Sequence, residues 1–321
     1  MTTVNHAMRT FRSAMLNPQS LRAALPVFSL VIILVPIFYI QPRTMSYFGL
    51  NLLLQLAVPI ALATIAQMFI LAVNDLDLSM GGYVGVVACI SATYLNDTPL
   101  LGVVLLGLCV AGYAAVGALI HWRNLPSIVV TLGMLFVWQG LAVLVLPTPG
   151  GKAPEWVKDF MALKIPLIPF PIVAAAVLAL VVHFGLMHSS YGAVLRGVGG
   201  NPKAVARAGW SLLKAKMVMY ALAGVFGVLS GLSLIGLTTS AQANIAMPYT
   251  LLSIAGVILG GGEFVGGRVS PIGAVLGALT LALATRALTF FSIPPDWQIG
   301  AQGAILIIVL ALRAVINRRE G

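Results

Sequence analysis

Residues Leu50 to Gly82 read LNLLLQLAVPIALATIAQMFILAVNDLDLSMGG, an apolar run as far as Val73 that breaks into a turn carrying Asn74, Asp75, Asp77 and Ser79. No Asp, Glu, Lys or Arg falls between Leu50 and Val73. As an α-helix the run rises roughly 36 Å, enough to cross a hydrocarbon core of about 30 Å. It has no polar face to turn towards water, so its solvent is lipid. The rest of the chain repeats the pattern: 60% of the 321 residues are hydrophobic and 8% are charged. A soluble domain carries roughly 25% charged residues. An integral membrane protein follows.

Ten apolar segments can be placed, at Leu25 to Ile40, Leu50 to Val73, Gly81 to Leu95, Leu100 to Ile120, Ile128 to Leu146, Ile168 to Met187, Met217 to Leu237, Thr250 to Gly260, Pro271 to Thr285 and Ala301 to Val315. The fold class expected is all-α, a polytopic transmembrane helical bundle of about ten spans with some short or broken, forming one transmembrane domain over residues 1–321. No length remains for a separate catalytic domain. The third segment rises only about 22 Å, so it either borrows the turn before it or is a broken helix buried in the bundle. Gly260, Gly261, Gly262, Gly266 and Gly267 pose the same alternative between the eighth and ninth segments: flexible backbone at membrane depth, or a tight cytoplasmic turn. Arg9, Arg12 and Arg22 precede the first run as in a secretory signal, but no small-residue cleavage site follows before Gln41, which reads as a retained span.

Threading the segments with the N-terminus inside puts 13 of the 18 Lys and Arg on the cytoplasmic side and leaves Arg43, Lys152, Lys158, Lys164 and Arg286 outside. That bias sets both termini in the cytoplasm. The formal charge of +10 is divided among loops and forms no basic stripe, which excludes a nucleic-acid partner as its explanation. Cys89 and Cys109 lie inside apolar segments and read as packing residues.

Small residues at four-residue spacing, Ala223, Gly227 and Gly231, then Gly273 and Gly277, predict close helix packing. The turn after Val73 has two readings: Asp77 or Ser79 caps the next helix, or Asn74, Asp75, Asp77 and Ser79 line a translocation route, with Gln67 and Gln139 as further polar candidates. No second acid, Lys or His relay accompanies Asp75 and Asp77, which argues against a proton-driven pump. His183 and His188, five apart, are expected on different helix faces, and no metal site is expected. No Gly-rich loop ending in Gly-Lys-Ser or Gly-Lys-Thr is present, so no ATPase and no other enzyme activity is expected of the chain. Residues 190–216 form a cationic cytoplasmic segment in which Asn201 caps, Pro202 starts and Gly209 ends a short helix carrying Lys203 and Arg207.

The turn Asn74-Asp75-Leu76-Asp77-Leu78-Ser79-Met80-Gly81-Gly82, the segment Gly199-Gly200-Asn201-Pro202-Lys203-Ala204 with Arg196 before it, and Gly260-Gly261-Gly262-Glu263-Phe264-Val265-Gly266-Gly267 with Gly273 after it occur in that order. With them the chain resembles the inner-membrane permease subunit of bacterial ATP-binding-cassette importers of the ribose, xylose and galactose type, a superfamily that includes branched-chain amino acid permeases. The resemblance covers nearly the whole chain. It implies the ten-helix permease fold, a bacterial inner-membrane location, and a sugar or related polyol as cargo. It also implies a second permease subunit, identical or homologous, a cytoplasmic ATPase that binds ATP and Mg, and a periplasmic substrate-binding protein. No cofactor is implied for the chain itself. By resemblance Arg196, Gly199, Asn201, Pro202, Lys203, Arg207 and Gly209 belong to the coupling region that docks on the ATPase. The chain departs where Asn74 and Asp75 replace the family's glycine pair; the aspartate of the family's Asp-Leu-Ser maps onto Asp77, so Asp75 is an added acid. A branched-chain amino acid permease and a gradient-driven secondary transporter are the alternatives.

Overall fold

The computed structural model describes residues 18–291 and, beyond them, Pro294, Trp297, Gly300, Gly303, Ala304 and Ile307, with side chains from Pro26 onward. The tenth expected segment, Ala301 to Val315, therefore lies essentially outside the described residues. So do the terminal cations Arg9, Arg12, Arg313, Arg318 and Arg319. Within the described residues the chain is helical and has no strand, only an isolated bridge between Gly150 and Ala241.

In chain order the helices are α1 (Pro18–Ile40), α2 (Tyr47–Leu54), α3 (Ala57–Leu71), α4 (Met80–Asp97), α5 (Pro99–Arg123), α6 (Ser127–Val145), α7 (Glu155–Met161), α8 (Phe170–His183), α9 (Ser190–Gly200), α10 (Pro202–Arg207), α11 (Leu212–Thr238), α12 (Tyr249–Leu259) and α13 (Pro271–Phe290). By length and composition α5, α6, α8 with the π turn that follows it, α11 and α13 can each cross a membrane, and α2 with α3, bent by 42°, pass the same test as a pair, as a broken span or a re-entrant loop does. The run Leu50 to Val73 is thus interrupted by a bend between Leu54 and Ala57. Pro59 lies in the first turn of α3, where its missing N–H leaves no bond back to Gln55. The segment that looked too short, Gly81 to Leu95, extends to Met80–Asp97, about 27 Å, and most of it is buried in the bundle. α12 has 11 residues, about 16 Å, and does not reach across by itself.

α11 is the hub, packed on α3, α4, α5 and α7. The expected small-residue ridges make its closest contacts. A Cβ on Gly227 would strike the Tyr83 ring and one on Gly231 would strike Val87, so any larger residue would push α4 off α11. Likewise Gly273 and Gly277 rest against the carbonyls of Gly260 and Gly256, bringing α13 onto α12. Lipid tails are as apolar as the helices, so close approach and dispersion hold these pairs together. Large apolar side chains on α5 and α6 point outward, Leu100, Val129 and Leu144 among them, as in a surface bathed in hydrocarbon.

The loops gather at two poles. At one, Tyr47 Oη donates to the Ile165 carbonyl at 2.9 Å, Asn96 Nδ2 donates to the Lys152 carbonyl at 2.6 Å, and Arg43 and Arg286 border one cleft. Lys158 sits there on α7, a short helix between α6 and α8 that the sequence had left as connection. Arg43 and Arg286, two of the five cations threaded outside, therefore share a cleft. At the other pole the α3–α4 turn, the end of α9 and the glycine loop after α12 meet.

One expectation is overturned. His183 and His188 do not face apart: their ring centroids are 5.1 Å from each other. The chain forms a π turn over Phe184–His188, and its wider winding brings residues five apart onto one side.

Candidate coupling and translocation site

The turn between α3 and α4 is where the polar groups concentrate. α3 ends at Leu71, and Asn74 then adopts φ 61°, a left-handed conformation that asparagine tolerates better than most residues. From there the chain runs without helix to Ser79, and its residues take partners from α3, α5, α6, α9 and α11.

Asn74 reaches the surface of the described chain and bonds in two directions. Its Nδ2 donates to the Gly199 carbonyl at 2.6 Å, while its Oδ1 accepts from the N–H groups of Gly266 at 2.9 Å and Gly267 at 3.3 Å. Asp75, 8% exposed, points the other way: Oδ2 lies 2.8 Å from Lys216 Nζ and accepts from Tyr220 Oη at 3.1 Å, both on α11. Leu76 N–H donates to Ser127 Oγ, and Leu78 N–H donates to Thr131 Oγ1, each at 3.1 Å, which ties the turn to the start of α6.

Asp77 is wholly buried. Its Oδ1 accepts from the Ser79 N–H and from Ser79 Oγ at 2.7 Å each, and Tyr113 Oη of α5 donates to its Oδ2. Gln67 of α3, also wholly buried, faces the backbone of Asp77; its amide, oriented to satisfy both groups, donates to the Asp77 carbonyl at 3.3 Å and accepts from the Asp77 N–H at 3.2 Å. The sequence offered Asp77 or Ser79 as the cap of α4. Asp77 does bond the Ser79 N–H, but the Gly81 N–H is taken at 2.9 Å by Thr250 Oγ1, reaching over from α12. A cap supplied by another helix pins α4 to α12 as well as ending it.

Tyr83, Tyr113, Tyr220 and Trp138 cluster around this network, with Tyr83 and Tyr113 ring centroids 4.3 Å apart. The sequence reading did not single out these tyrosines or Lys216. Only half of the signal was available: a tyrosine inside an apolar span must place its hydroxyl on a polar partner, but Tyr113 and Tyr220 stand 36 and 145 residues from the carboxylates they bond. Gln139 stands apart from the turn and donates to Asn244 Oδ1 at 2.7 Å. The structure thus brings Gln67, Asn74, Asp75, Asp77 and Ser79 together and leaves Gln139 outside the group.

The second expected constellation lies beside Asn74. α9 ends at Gly200, and Asn201 Oδ1 accepts from the Ala204 N–H at 3.0 Å, capping α10 with Pro202 at its first position. Gly209, at φ 86°, reverses the chain after the helix. Pro202, Lys203, Arg207 and Gly209 are exposed, and Val205 alone of α10 is half-buried. Arg196 is half-buried and donates from Nη2 to the Met187 carbonyl at 3.3 Å. Gly199 is buried where a Cβ would overlap the Ala72 carbonyl, so no other residue fits without moving α9 away from the turn. Arg196 also borders a cleft of roughly 490 Å³ with the glycine loop. In that loop Gly261, Gly266 and Gly267 all have positive φ, and Arg268 Nη1 pairs with Glu263 Oε2 at 3.5 Å. Among the described residues no group of three or more His, Cys, Asp or Glu could hold a metal ion.

The described residues form a helical bundle with a polar turn between α3 and α4 and a short exposed helix beside it. Residues 49–310 match the family described as branched-chain amino acid transport system / permease component, and the chain belongs to that family. Among curated proteins it is 27% identical to the galactose/methyl galactoside import permease protein MglC of Escherichia coli, over 91% of this chain and 94% of that one. It is 26% identical to the ribose import permease protein RbsC of Bacillus subtilis, over 89% and 91% respectively. The autoinducer 2 import system permease protein LsrD of an Enterobacter strain is 27% identical over 77% of this chain and 79% of its own length. No solved structure matches the chain.

Proposed function

We propose that this chain is the membrane-embedded subunit of an ATP-driven, binding-protein-dependent importer for a sugar or related polyol. The observation that carries the reading is α10: a capped six-residue helix, almost entirely exposed, whose flanks are bonded to the turn between α3 and α4. Among the described residues this helix buries only part of Val205 and leaves Lys203 and Arg207 exposed, and a cytoplasmic ATPase is the partner the family resemblance implies. That partner binds the ATP and Mg; the permease supplies no hydrolytic group. In this reading residues 190–216 are the coupling region of a single domain of about ten spans, both termini are cytoplasmic, and the chain works in the bacterial inner membrane. It pairs with a second permease subunit, and a periplasmic binding protein delivers the cargo.

The sugar assignment rests on relatives that align over most of their length, galactose and ribose import permeases among them. The family description favours a second reading, a branched-chain amino acid cargo. Gln67, Asp77 and Ser79 border the translocation route by fixing the start of α4, and Gln139 with Asn244 supplies a further polar pair in the bundle. Selectivity in this arrangement resides mainly in the delivery protein, since a permease fed by a partner can work with a weak, mostly apolar passage.

The test is reconstitution with the neighbouring ATPase and binding protein. ATP hydrolysis should rise when loaded binding protein is added, and Lys203→Glu or Asn201→Ala should abolish the rise while the subunit still inserts into the membrane. Substrate-independent hydrolysis that neither variant alters would refute the docking of α10.

A further inference from the structure

We propose that Asn74 and Asp75 form a joint that carries movement of α10 into the break between α3 and α4. The proposal rests on the reading of α10 as the ATPase-docking helix.

α10 has only Val205 partly tucked against the protein, so displacement of this helix passes through its two flanks. The chain before it ends at Gly199 and Gly200; the chain after it enters α11 and reaches Lys216. Both flanks terminate on adjacent residues of the same turn. Gly199 is held by Asn74, and Lys216 by Asp75, at 2.6 and 2.8 Å. Asn74 also gathers the glycine loop through Gly266 and Gly267.

The contacts around these bonds leave little slack. A Cβ on Gly199 would overlap the Ala72 carbonyl, and one on Gly267 would lie 2.5 Å from the Arg196 carbonyl and 3.0 Å from that of Ala72. Backbone rests on backbone, and a close-packed layer transmits displacement rather than absorbing it. On the far side the turn is anchored to the bundle centre by Leu76 on Ser127, Leu78 on Thr131, and Asp77 on Tyr113. Six residues, Asn74 to Ser79, therefore connect the pole that carries α10 to the start of α4.

The chemistry of the two residues fits the role. The left-handed backbone at residue 74 would suit glycine at least as well. Asparagine adds three hydrogen bonds without changing the backbone requirement. Asp75 and Lys216 are 9% and 14% exposed at their side chains, so either charge alone would be stranded in a poorly hydrated place, and the pair holds together through a movement that a surface ion pair would not survive.

Asn74→Gly keeps the backbone conformation and removes the bonds; Asp75→Asn removes the ion pair; Asp75→Lys with Lys216→Asp exchanges the charges. Each is reconstituted with the ATPase and binding protein, and ATP hydrolysis and substrate uptake are measured on the same vesicles, with thermal stability in parallel. The joint predicts that Asn74→Gly and Asp75→Asn retain hydrolysis while substrate carried per ATP falls at least about fivefold, the low end of ordinary coupling between sites. The exchanged pair recovers at least half of the ratio. A purely structural role would lower stability, hydrolysis and uptake together and leave the ratio unchanged, and that result overturns the joint. If the unmodified complex shows no ATP-dependent uptake, the docking assignment itself fails and the joint with it.

Discussion

Replacing Asp77 by alanine removes the acceptor shared by Ser79 N–H, Ser79 Oγ and Tyr113 Oη in a site with no access to solvent. The Ser79 hydroxyl can turn to Tyr113 Oη, already 3.4 Å away, but that bond satisfies one of the three donors and leaves two without an acceptor. Two orphaned groups at about 1–3 kcal/mol each put the loss at about 2–6 kcal/mol. Asp77→Asn keeps an oxygen for Ser79 and presents an N–H to Tyr113, whose hydroxyl can accept it, so its loss is about 1 kcal/mol. Cys89 and Cys109 are free and buried, which makes them internal reporters of unfolding. Heating purified protein with a thiol-reactive dye should label Asp77→Ala at a clearly lower temperature than the unmodified chain, with Asp77→Asn between them and nearer the latter. Equal transitions for alanine and unmodified protein would refute the claim that Asp77 holds the start of α4.

Gly227→Val drives a branched side chain into the Tyr83 ring and should destabilise the bundle by about 1–3 kcal/mol or more, read in the same thiol assay. Tyr83→Phe, which loses only the bond from Tyr83 Oη to the Gly224 carbonyl at 3.1 Å, should cost about 1 kcal/mol and leave transport intact. Asn201→Ala removes the cap of α10, about 0.5–2 kcal/mol of local helix stability, and should appear as faster amide exchange over residues 203–207 with no change in the thiol transition.

What the sequence disclosed and what it concealed divide along a physical line. Runs such as Leu100 to Ile120 and Met217 to Leu237 declared α5 and α11 because lipid demands an unbroken apolar surface. The caps at Asn201 and the reversal at Gly209 were also legible, since local hydrogen bonding and φ preference depend only on neighbours in the chain. The 42° break ahead of Pro59 was harder to see, because a proline in a first turn is compatible with a straight helix that simply begins there. The facing of His183 and His188 escaped because a five-residue spacing reads differently in α and π windings. Most hidden were the long-range partners. Lys216 looked like one more cytoplasmic cation until the fold placed it on Asp75, and Thr250 gave no sign that it caps a helix begun 169 residues earlier. Gln139 was grouped with Gln67 because both are amides in apolar spans, yet only Gln67 lies on a helix whose end feeds the polar turn.

The central claim is that ATP hydrolysis by a partner drives import through this subunit. Uptake of a labelled pentose or hexose into vesicles holding the reconstituted complex, with ATP inside and binding protein outside, tests it most directly. Accumulation should require both additions, persist when ion gradients are collapsed, and yield to competition by sugars but not by leucine, isoleucine or valine. Accumulation driven by an ion gradient without ATP would contradict the account.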